Sequence, residues 1–216
     1  MRCVATGATV LLKRGYRRLQ EFFLPLTGGI PPTSVEAILN NATRLNVELA
    51  DWARDIGAGS MWDLLAVCLI ARYFSPRICF EIGTGHGRTT HHLALNTPPD
   101  ARIYTLDVST EPVVGSIFRD QPTGAKILQL TADSASFDFG PWARCVDLVS
   151  IDGDHGYKAV SRDTERALEM LAPGGCIIWD DFVPDWPGVI RALKRHPRRK
   201  EFRRVRGTKL VYYRCL

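Results

Sequence analysis

The fold of this chain is decided by the stretch Phe80-Glu81-Ile82-Gly83-Thr84-Gly85-His86-Gly87-Arg88-Thr89-Thr90. An apolar run ends here in glycines spaced two residues apart, and a segment with helical character follows. Glycine is needed where bare backbone approaches a ligand, because a Cβ atom would block the approach or forbid the dihedral angles. The pattern predicts a nucleotide-like cofactor at the carboxyl end of a first strand, with Gly83, Gly85 and Gly87 in the binding turn.

The identity of the cofactor depends on the residues around this turn. The next apolar run ends at Asp107, where a carboxylate is placed to accept hydrogen bonds from ribose hydroxyls. A dinucleotide fold prefers a further glycine where this chain has Arg88, so the dinucleotide pattern fails. Glu81 suits the amino group of S-adenosylmethionine better than it suits a pyrophosphate. The alternative is an ordinary strand-to-helix turn with incidental glycines.

Length and composition are those of one α/β domain with a full core. The chain has 216 residues, of which 45% are hydrophobic and 24% are charged. No apolar run reaches the roughly 18 residues that cross a bilayer, so we expect no membrane span and a cytoplasmic protein. The six cysteines lack C-x-x-C spacing. Four of them lie in or beside apolar runs and indicate buried thiols in a reducing compartment: Cys68, Cys79, Cys145 and Cys176.

Strand and helix patterns alternate through most of the chain. Strands are predicted at 78–82, 103–107, 127–130, 146–151 and 176–180, and helices at 86–96 and 157–171. This alternation predicts an α/β fold with a doubly wound, mostly parallel, seven-stranded sheet of the Rossmann-like type. The C-terminal residues 202–205 and 209–213 predict an antiparallel hairpin at a sheet edge.

The N-terminal part is less regular. Residues 1–33 are poorly patterned and end in a Gly-Gly-Ile-Pro-Pro linker, so we predict an N-terminal extension there and one folded domain at 34–216. Apolar residues at steps of three and four predict an amphipathic helix from Val35 to Ile56, and a second, buried helix is predicted from Met61 to Tyr73. The apolar N-terminal face suggests a contact in a homodimer.

Acidic residues follow two further predicted strands. Asp152, Asp154 and His155 come after the strand at 146–151, and Asp180 and Asp181 end the strand at 176–180. Ligands bind outside the carboxyl ends of the strands in such a sheet, so we expect these side chains to gather beside the cofactor turn. Carboxylate oxygens from two strand ends suit Mg²⁺. The alternative is that the acids cap turns and accept loop N–H groups.

The remaining candidates are a base and an adenine contact. The imidazole of His155 has an ordinary pKa near 6.5, which suits removal of a proton from a substrate hydroxyl. The alternative is a loop histidine hydrogen-bonded to Asp152 or Asp154. Asp133 and Ser134 follow the third predicted strand and can hydrogen-bond the edge of an adenine, although an Asp-Ser turn is common in any loop.

The motifs FEIGTGHGRTT, YTLDV, TADS and SIDGDHGYKAVSRDTERALEMLAPGGCIIWDDF resemble those of class I S-adenosylmethionine-dependent methyltransferases. The nearest resemblance is to small bacterial proteins related to catechol and macrolide-sugar O-methyltransferases. It runs from about Gly59 to Tyr213 and implies a methyltransferase domain at 34–216. It also implies a cofactor site in which the methionine end is lined by Glu81, Gly83, Thr84 and Gly85, the ribose is held by Asp107, and the adenine by Asp133 and Ser134.

The resemblance also implies a chemistry. In metal-dependent members, the positions of Asp152, Asp180 and Asp181 bind Mg²⁺. The catalytic lysine of the catechol type is missing, because a Gly-Asp-His run follows Asp152, and this leaves His155 or Asp152 as the base. The implied reaction is O-methylation of a small-molecule hydroxyl, on a sugar or a specialised metabolite, by direct in-line transfer.

The basic residues are concentrated near the C-terminus. Nine Lys or Arg and one Glu lie between Arg191 and Arg206, a local charge of +8. The net charge is +5, so the rest of the chain carries 5 − 8 = −3. The alternative function is a nucleic-acid methyltransferase or RNA binder that uses this segment to contact phosphates. Few aromatics interleave, and charge that protects a sheet edge explains the segment as well, so we expect no specific nucleic acid partner. A third interpretation is a non-catalytic cofactor-binding subunit.

Overall fold

The structure is a computed structural model that describes residues 2–4, 29–42, 44–50 and 61–215. The strands are β1 (Arg2–Val4), β2 (Pro32–Thr33), β3 (Asn46–Glu48), β4 (Ile78–Ile82), β5 (Arg102–Asp107), β6 (Ile127–Thr131), β7 (Val146–Ile151), β8 (Leu171–Trp179), β9 (Arg203–Val205) and β10 (Val211–Arg214). The α-helices are α1 (Val35–Ile38), α2 (Met61–Phe74), α3 (Arg88–Asn96), α4 (Tyr157–Met170) and α5 (Pro187–Arg195). Short 3₁₀ helices span Pro122–Lys126 and Gly140–Trp142.

The main sheet has eight strands in the order β2-β9-β10-β8-β7-β4-β5-β6. The pairs β4–β5, β5–β6, β4–β7 and β7–β8 are parallel, and β10 is antiparallel to both β8 and β9. This confirms the predicted mostly parallel, Rossmann-like sheet. The eighth strand is the two-residue β2, which pairs in parallel with β9. In the described chain, β1 and β3 form a separate antiparallel pair.

The core lies on both faces of this sheet. Successive strand side chains point to opposite faces, so Phe80 and Cys79 belong to two different clusters. The Phe80 cluster includes buried residues of α4 and α5, and the Cys79 cluster includes residues of α2 and α3. Two helical layers therefore fix the strands from both sides and hold their carboxyl ends in register.

The predicted amphipathic helix from Val35 to Ile56 is wrong over its described part. Helix α1 ends at Ile38, and β3 follows at Asn46–Glu48. Asn40 and Asn41 adopt positive φ angles of 47° and 57°, a left-handed conformation in which a helix stops. Residues 43 and 51–60 lie outside the described residues. The boundary between residues 33 and 34 stays a prediction, although β2 shows that residues 32 and 33 already join the sheet.

The C-terminal hairpin is present, but it is built further into the sheet than a simple edge addition. Strand β10 lies between β8 and β9, with Val211 opposite Trp179 and Tyr212 opposite Ile178. Because β10 runs antiparallel to β8, the residues just before β10 lie beside those just after β8. The hairpin therefore delivers the residues before Val211 to the edge of the sheet where ligands are expected.

The structure also bears on the cysteines and on membrane-spanning helices. Cys68, Cys79 and Cys176 are buried free thiols, and burial raises the pKa of Cys68 and of Cys176 to about 12. Cys145 is only partly buried. Among the described residues, no helix is both long enough and apolar enough to cross a membrane.

Candidate active site

The glycine turn after β4 is packed on two sides and open on a third. Gly83, Gly85 and Gly87 all have positive φ angles, of 99°, 48° and 87°. A Cβ at Gly83 would lie 2.0 Å from the backbone oxygen of Asp152, and one at Gly87 would lie 2.5 Å from the ring of Phe118. A Cβ at Gly85 would meet nothing within 4 Å. The open side at Gly85 is the part of the turn that a ligand can approach.

The carboxylate of Asp107 is tied to this turn. It accepts hydrogen bonds from the backbone N–H groups of Thr84 (3.0 Å) and Gly85 (2.9 Å), and its other oxygen accepts one from Ser109 (2.8 Å). The neighbouring Val108 is an apolar side chain that is 68% exposed. Sequence reasoning missed Val108, which offers an apolar surface beside the predicted ribose acceptor.

Glu81 lies beneath the turn. Its side chain is 1% exposed, and one carboxylate oxygen accepts hydrogen bonds from the hydroxyls of Thr105 (2.6 Å) and Thr90. Desolvation raises the pKa of Glu81 to about 8, although both hydroxyls oppose the shift. The carboxyl is therefore mostly protonated at neutral pH, and a cationic group brought close to it would favour its ionised form.

Asp133 and Ser134 lie at the same edge of the sheet as Asp107, but both make local contacts. The backbone N–H of Ala132 donates to the carbonyl of Asp107 (3.0 Å), which joins the ends of β5 and β6. One oxygen of Asp133 accepts from the N–H of Ala135 (2.8 Å), as in an Asx turn. The hydroxyl of Ser134 accepts from Arg162 (3.1 Å). The predicted adenine contact stays a prediction.

The structure brings the two acidic strand ends together. The N–H of Asp152 donates to the carbonyl of Ile82 (2.8 Å), and the N–H of Asp180 donates to Ile151 (3.0 Å), so the ends of β4, β7 and β8 are joined. Asp181 has a φ of 59°, a left-handed conformation that places it at a sharp turn. Asp154 is exposed, and its carboxylate accepts the N–H of Gly156 (2.7 Å), so it serves its own loop.

His155 forms ion pairs with two of these acids. Its Nε2 atom lies 3.0 Å from Asp181 Oδ2 and 3.7 Å from Asp152 Oδ1, and its ring stacks on Trp186 with centroids 4.2 Å apart. The neighbouring carboxylates of Asp152 and Asp181 raise the pKa of His155 to about 9, against a smaller effect of burial. At neutral pH the ring therefore carries a proton, and its predicted use as a base requires the minor neutral form.

Lys209 is a charged residue of the site that sequence reasoning also missed. Its ammonium contacts Asp181, lies 3.5 Å from Asp180 and lies 3.9 Å from Asp63, an acid of helix α2. Burial alone would lower its pKa, but the neighbouring charges of Asp180, Asp181 and Asp63 raise it above the usual value. The ammonium is a permanent positive charge in the acidic cluster.

A small cavity with a mixed polar and apolar lining lies next to Asp63, Asp152 and Asp180. Its volume is about 20 Å³, and its polar lining comes from Asp63, Arg88, Thr89, Ser150, Asp152 and Asp180. This volume holds about one water molecule and is too small for a methyl acceptor. Desolvation, with the charge of Asp152 beside it, raises the pKa of Asp180 to about 7. Asp180 is the less exposed of these two acids, with a side chain that is 21% exposed against 35% for Asp152.

The predicted Mg²⁺ ligand set can be tested against this arrangement. Three carboxylates suit the ion in chemical type. In geometry they do not fit, because Lys209 already contacts both Asp180 and Asp181, and His155 contacts the second oxygen of Asp181. Among the described residues, the group whose ligand atoms lie within 4.8 Å of one another is Asp152, His155 and Asp181, which excludes Asp180. The Mg²⁺ site stays a prediction, and no chemical step is derived through it.

The cofactor prediction fits the site better. The turn is open at Gly85, the carboxylate of Asp107 stands beside it, and the exposed apolar Val108 follows. A ribose needs an acceptor for its hydroxyls, and an adenine needs an apolar surface, so these residues match a nucleoside. The turn contacts Asp152 through Gly83, which puts a bound nucleoside next to the acidic cluster.

The site and the fold agree with comparisons to known proteins. Residues 80–182 match the family model described as a methyltransferase domain. This range contains the glycine turn, Asp107, Asp152 and Asp181. No curated relative matches the chain by sequence.

Several solved structures share the fold. The SAH-bound methyltransferase PaMTH1 of Podospora anserina has a TM-score of 0.63 at 16% identity, with 93% of this chain and 94% of that chain covered. The O-methyltransferase TomG of Streptomyces achromogenes, solved with SAM, has a TM-score of 0.58 at 17% identity, with 94% and 97% covered. The Bacillus cereus O-methyltransferase, solved with SAH, has a TM-score of 0.56 at 20% identity, with 84% and 87% covered.

These findings show what the chain is similar to. Residues 80–182 match a methyltransferase domain, and the Rossmann-like fold is shared with methyltransferases solved with SAM or SAH.

Proposed function

We propose that the protein transfers a methyl group from S-adenosylmethionine to a hydroxyl oxygen of a small molecule. The observation that carries this proposal is the contact between the two halves of the site. Gly83 of the cofactor turn packs directly on the backbone of Asp152, so the acid and its partner His155 adjoin the place where a methyl donor would end. Close alignment of acceptor and donor is the main requirement of in-line transfer.

The cofactor would be held by residues of β4, β5 and β6. Asp107 would accept the ribose hydroxyls, Val108 would pack against the adenine, and Asp133 and Ser134 would hydrogen-bond its edge. The turn at Gly83, Thr84, Gly85 and Gly87 lets the methionine end come close to the backbone. Glu81 lies below it, where a nearby ammonium would stabilise the ionised carboxylate.

The acceptor hydroxyl must lose a proton during transfer. S-adenosylmethionine supplies a methyl group on a sulfonium sulfur, which keeps the electron pair of the broken bond. The oxygen forms the new bond to carbon, and its proton passes to the neutral form of His155, with Asp152 holding the resulting imidazolium. Asp152 acting alone is the second candidate for the base.

The surroundings of His155 indicate the kind of acceptor. Trp186, 43% exposed, stacks on the imidazole, and Tyr157, the first residue of α4, is 37% exposed. Aromatic rims next to carboxylates suit a compact molecule with an apolar face and hydroxyl groups, such as a sugar or a phenol. The S. achromogenes relative in fold is an O-methyltransferase involved in tomaymycin synthesis, which supports a specialised metabolite as the acceptor.

The basic segment 191–206 does not support RNA as the acceptor. Several of its charges are engaged within the protein: Arg198 pairs with Glu201 (3.3 Å), Arg191 lies over the ring of Tyr157, and Arg203 donates to two backbone carbonyls. Guanidinium groups used in this way hold the hairpin and α5 in place, so fewer of them remain for phosphates.

The proposal can be tested in two steps. Calorimetry should show binding of S-adenosylmethionine and of its demethylated product, and much weaker or no binding of NAD. The protein is then incubated with S-adenosylmethionine and extracts of sugars, phenols and other hydroxylated metabolites, and mass spectrometry identifies products that gain one methyl group. Methyl addition to oxygen supports the proposal. Tight NAD binding, or a product methylated on RNA alone, would contradict it.

A further inference from the structure

Lys209 is fixed at the acidic site by the register of the sheet. Val211 lies opposite Trp179, and continuing this antiparallel register places Leu210 beside Asp180 and Lys209 beside Asp181. The N–H of Phe182 donates to the carbonyl of Lys209 (2.9 Å), so the two segments stay hydrogen-bonded beyond the strands, one residue out of this register. The position of Lys209 therefore follows from the hairpin and not from a freely rotating surface loop.

The backbone of Lys209 is held on its other side as well. Its N–H donates to Asp63 Oδ1 (2.8 Å), an acid that is 4% exposed at the start of α2. The side chain then turns toward Asp181 and Asp180. A lysine with both backbone polar groups bonded loses little further entropy when its ammonium stays among the acids.

The charges of the cluster explain why a cation is needed there. Four carboxylates (Asp63, Asp152, Asp180 and Asp181) lie close to the cations Lys209 and His155, and Arg88 lines the same cavity as three of them. Carboxylates this close repel one another unless a positive charge lies between them. In a metal-dependent site that charge is a divalent ion. Here the ammonium of Lys209 lies in contact with two of the three oxygen donors that the ion would use.

We propose that Lys209 takes the place of the divalent cation and that the acidic site works without one. The ammonium neutralises Asp180 and Asp181 and orients Asp181 so that its second oxygen holds His155. Lys209 is therefore a positioning residue that acts on the acceptor through Asp181 and His155. This inference rests on the proposed function for its catalytic meaning, but its central claim concerns cation binding and is testable without an acceptor.

The direct test is binding of Mn²⁺, a divalent ion suited to carboxylate ligands, followed by electron paramagnetic resonance. Four proteins are compared: the full chain, Lys209→Met, Lys209→Arg and Lys200→Met. Lys200 is exposed in the same C-terminal region, so Lys200→Met removes an equal charge away from the site. Circular dichroism checks that each variant is folded.

The expected result is weak Mn²⁺ binding by the unmodified chain and by Lys200→Met, and binding tighter by about tenfold or more in Lys209→Met, because the freed acids then attract the ion. Lys209→Arg should stay weak, since it keeps the charge. A second substitution, Asp180→Asn, should remove the binding gained in Lys209→Met. If Lys209→Met does not fold, the unmodified chain still provides the test, because micromolar Mn²⁺ binding by that chain would overturn the proposal.

Activity gives a second readout once an acceptor is found. The unmodified enzyme should keep its rate in excess chelator, within about twofold. Lys209→Met should lose about 10²-fold or more in kcat with little change in KM, Lys209→Arg should recover part of it, and Mn²⁺ should raise the rate of Lys209→Met. Loss of wild-type activity in chelator, restored by Mg²⁺, would overturn the proposal. Failure to bind S-adenosylmethionine would instead overturn the proposed function and leave the Mn²⁺ result standing.

Discussion

The proposed site has two halves that are built in different ways, one for the cofactor and one for the acceptor. The cofactor half comes from contiguous segments, the turn after β4 and the end of β5, and its main polar contacts are backbone N–H groups that donate to Asp107. The acceptor half is made of charged side chains from four separate elements. Asp63 comes from α2, Asp152 and His155 follow β7, Asp181 follows β8, and Lys209 precedes β10.

This difference predicts which kinds of substitution each half of the site should tolerate. A site made of backbone is sensitive to shape, so a single methyl group can damage it without altering any charge. A site made of opposed charges is sensitive to the removal of one charge, because a partner is then left buried and uncompensated. Substitutions that add a methyl group and substitutions that remove a charge should therefore affect the two halves differently.

The largest effect is expected in the acceptor half. Asp152→Asn should lower the rate of methyl transfer by roughly 10²–10⁴-fold, because it removes the carboxylate that holds His155 or accepts the proton itself. Affinity for S-adenosylmethionine, measured by calorimetry, should stay within about threefold. Asp154→Asn is the matched control, since Asp154 is exposed and, within the part of the chain that the structure describes, its carboxylate bonds the N–H of Gly156. Equal loss in both variants would contradict the assignment.

Alanine at two glycines tests the cofactor half. Gly83→Ala should destabilise the fold by roughly 3 kcal/mol or more, since the added Cβ would lie 2.0 Å from the carbonyl oxygen of Asp152 at a φ of 99°. Gly85→Ala meets open space, so its cost should be about 1 kcal/mol, from a positive φ alone. Gly85→Ala should instead weaken cofactor binding. Thermal or urea unfolding measures the difference, and equal stabilities would refute the packing argument.

These two halves also differ in how far the sequence predicts them. The glycine turn and Asp107 were predicted because a strand, a turn and a helix adjoin along the chain, so local spacing is enough. The strands β4 and β7 begin and end where the apolar runs do. The gathering of Asp152 with Asp180 and Asp181 was also predicted, because parallel strands end at one edge of a sheet.

Lys209 was missed because its position depends on pairing. The hairpin was predicted at a sheet edge, without the knowledge that β10 inserts next to β8. Once that pairing is given, the antiparallel register alone puts Lys209 opposite Asp181. Asp63 was missed for the same reason, since nothing local links α2 to residue 209. The prediction of a helix from Val35 to Ile56 was wrong over its described part because it relied on the spacing of apolar residues. Asn40 and Asn41, which adopt left-handed conformations, end the helix early.

The pH dependence of the rate sharpens the assignment of the base. The partners Asp152 and Asp181 raise the pKa of His155 to about 9, so the neutral form is scarce at pH 7. If that form takes the proton, the rate should rise about tenfold per pH unit below pH 9, roughly 10²-fold from pH 7, and level off above it. His155→Gln should lower the rate and remove this rise. A rate independent of pH between 6 and 9 would point to Asp152 acting alone.

A smaller effect is expected at the ribose contact. Asp107→Asn should weaken binding of S-adenosylmethionine by roughly tenfold, because a hydrogen bond to a charged group contributes about 1.5–3 kcal/mol and the amide keeps part of it. Calorimetry provides the measurement. Asp138→Asn serves as the control, since Asp138 is exposed and bonds only the N–H of Gly140 among the contacts of the described chain. Unchanged affinity in Asp107→Asn would remove the ribose assignment.

The smallest effect is expected in the basic segment, which belongs to neither half. Arg199 and Lys200 are exposed on the turn between α5 and β9. Replacing both with Gln should leave cofactor affinity and methyl transfer within about twofold, because neither half of the site uses their charge. Any weak binding to RNA should fall with salt, and its salt slope should drop by about 2 when both charges are removed. Filter binding over a range of salt concentrations measures this slope. One outcome would contradict this prediction: the unmodified chain binds one RNA sequence tightly at physiological salt, and the double variant does not. The basic segment would then be a recognition surface, and RNA would again be a candidate acceptor.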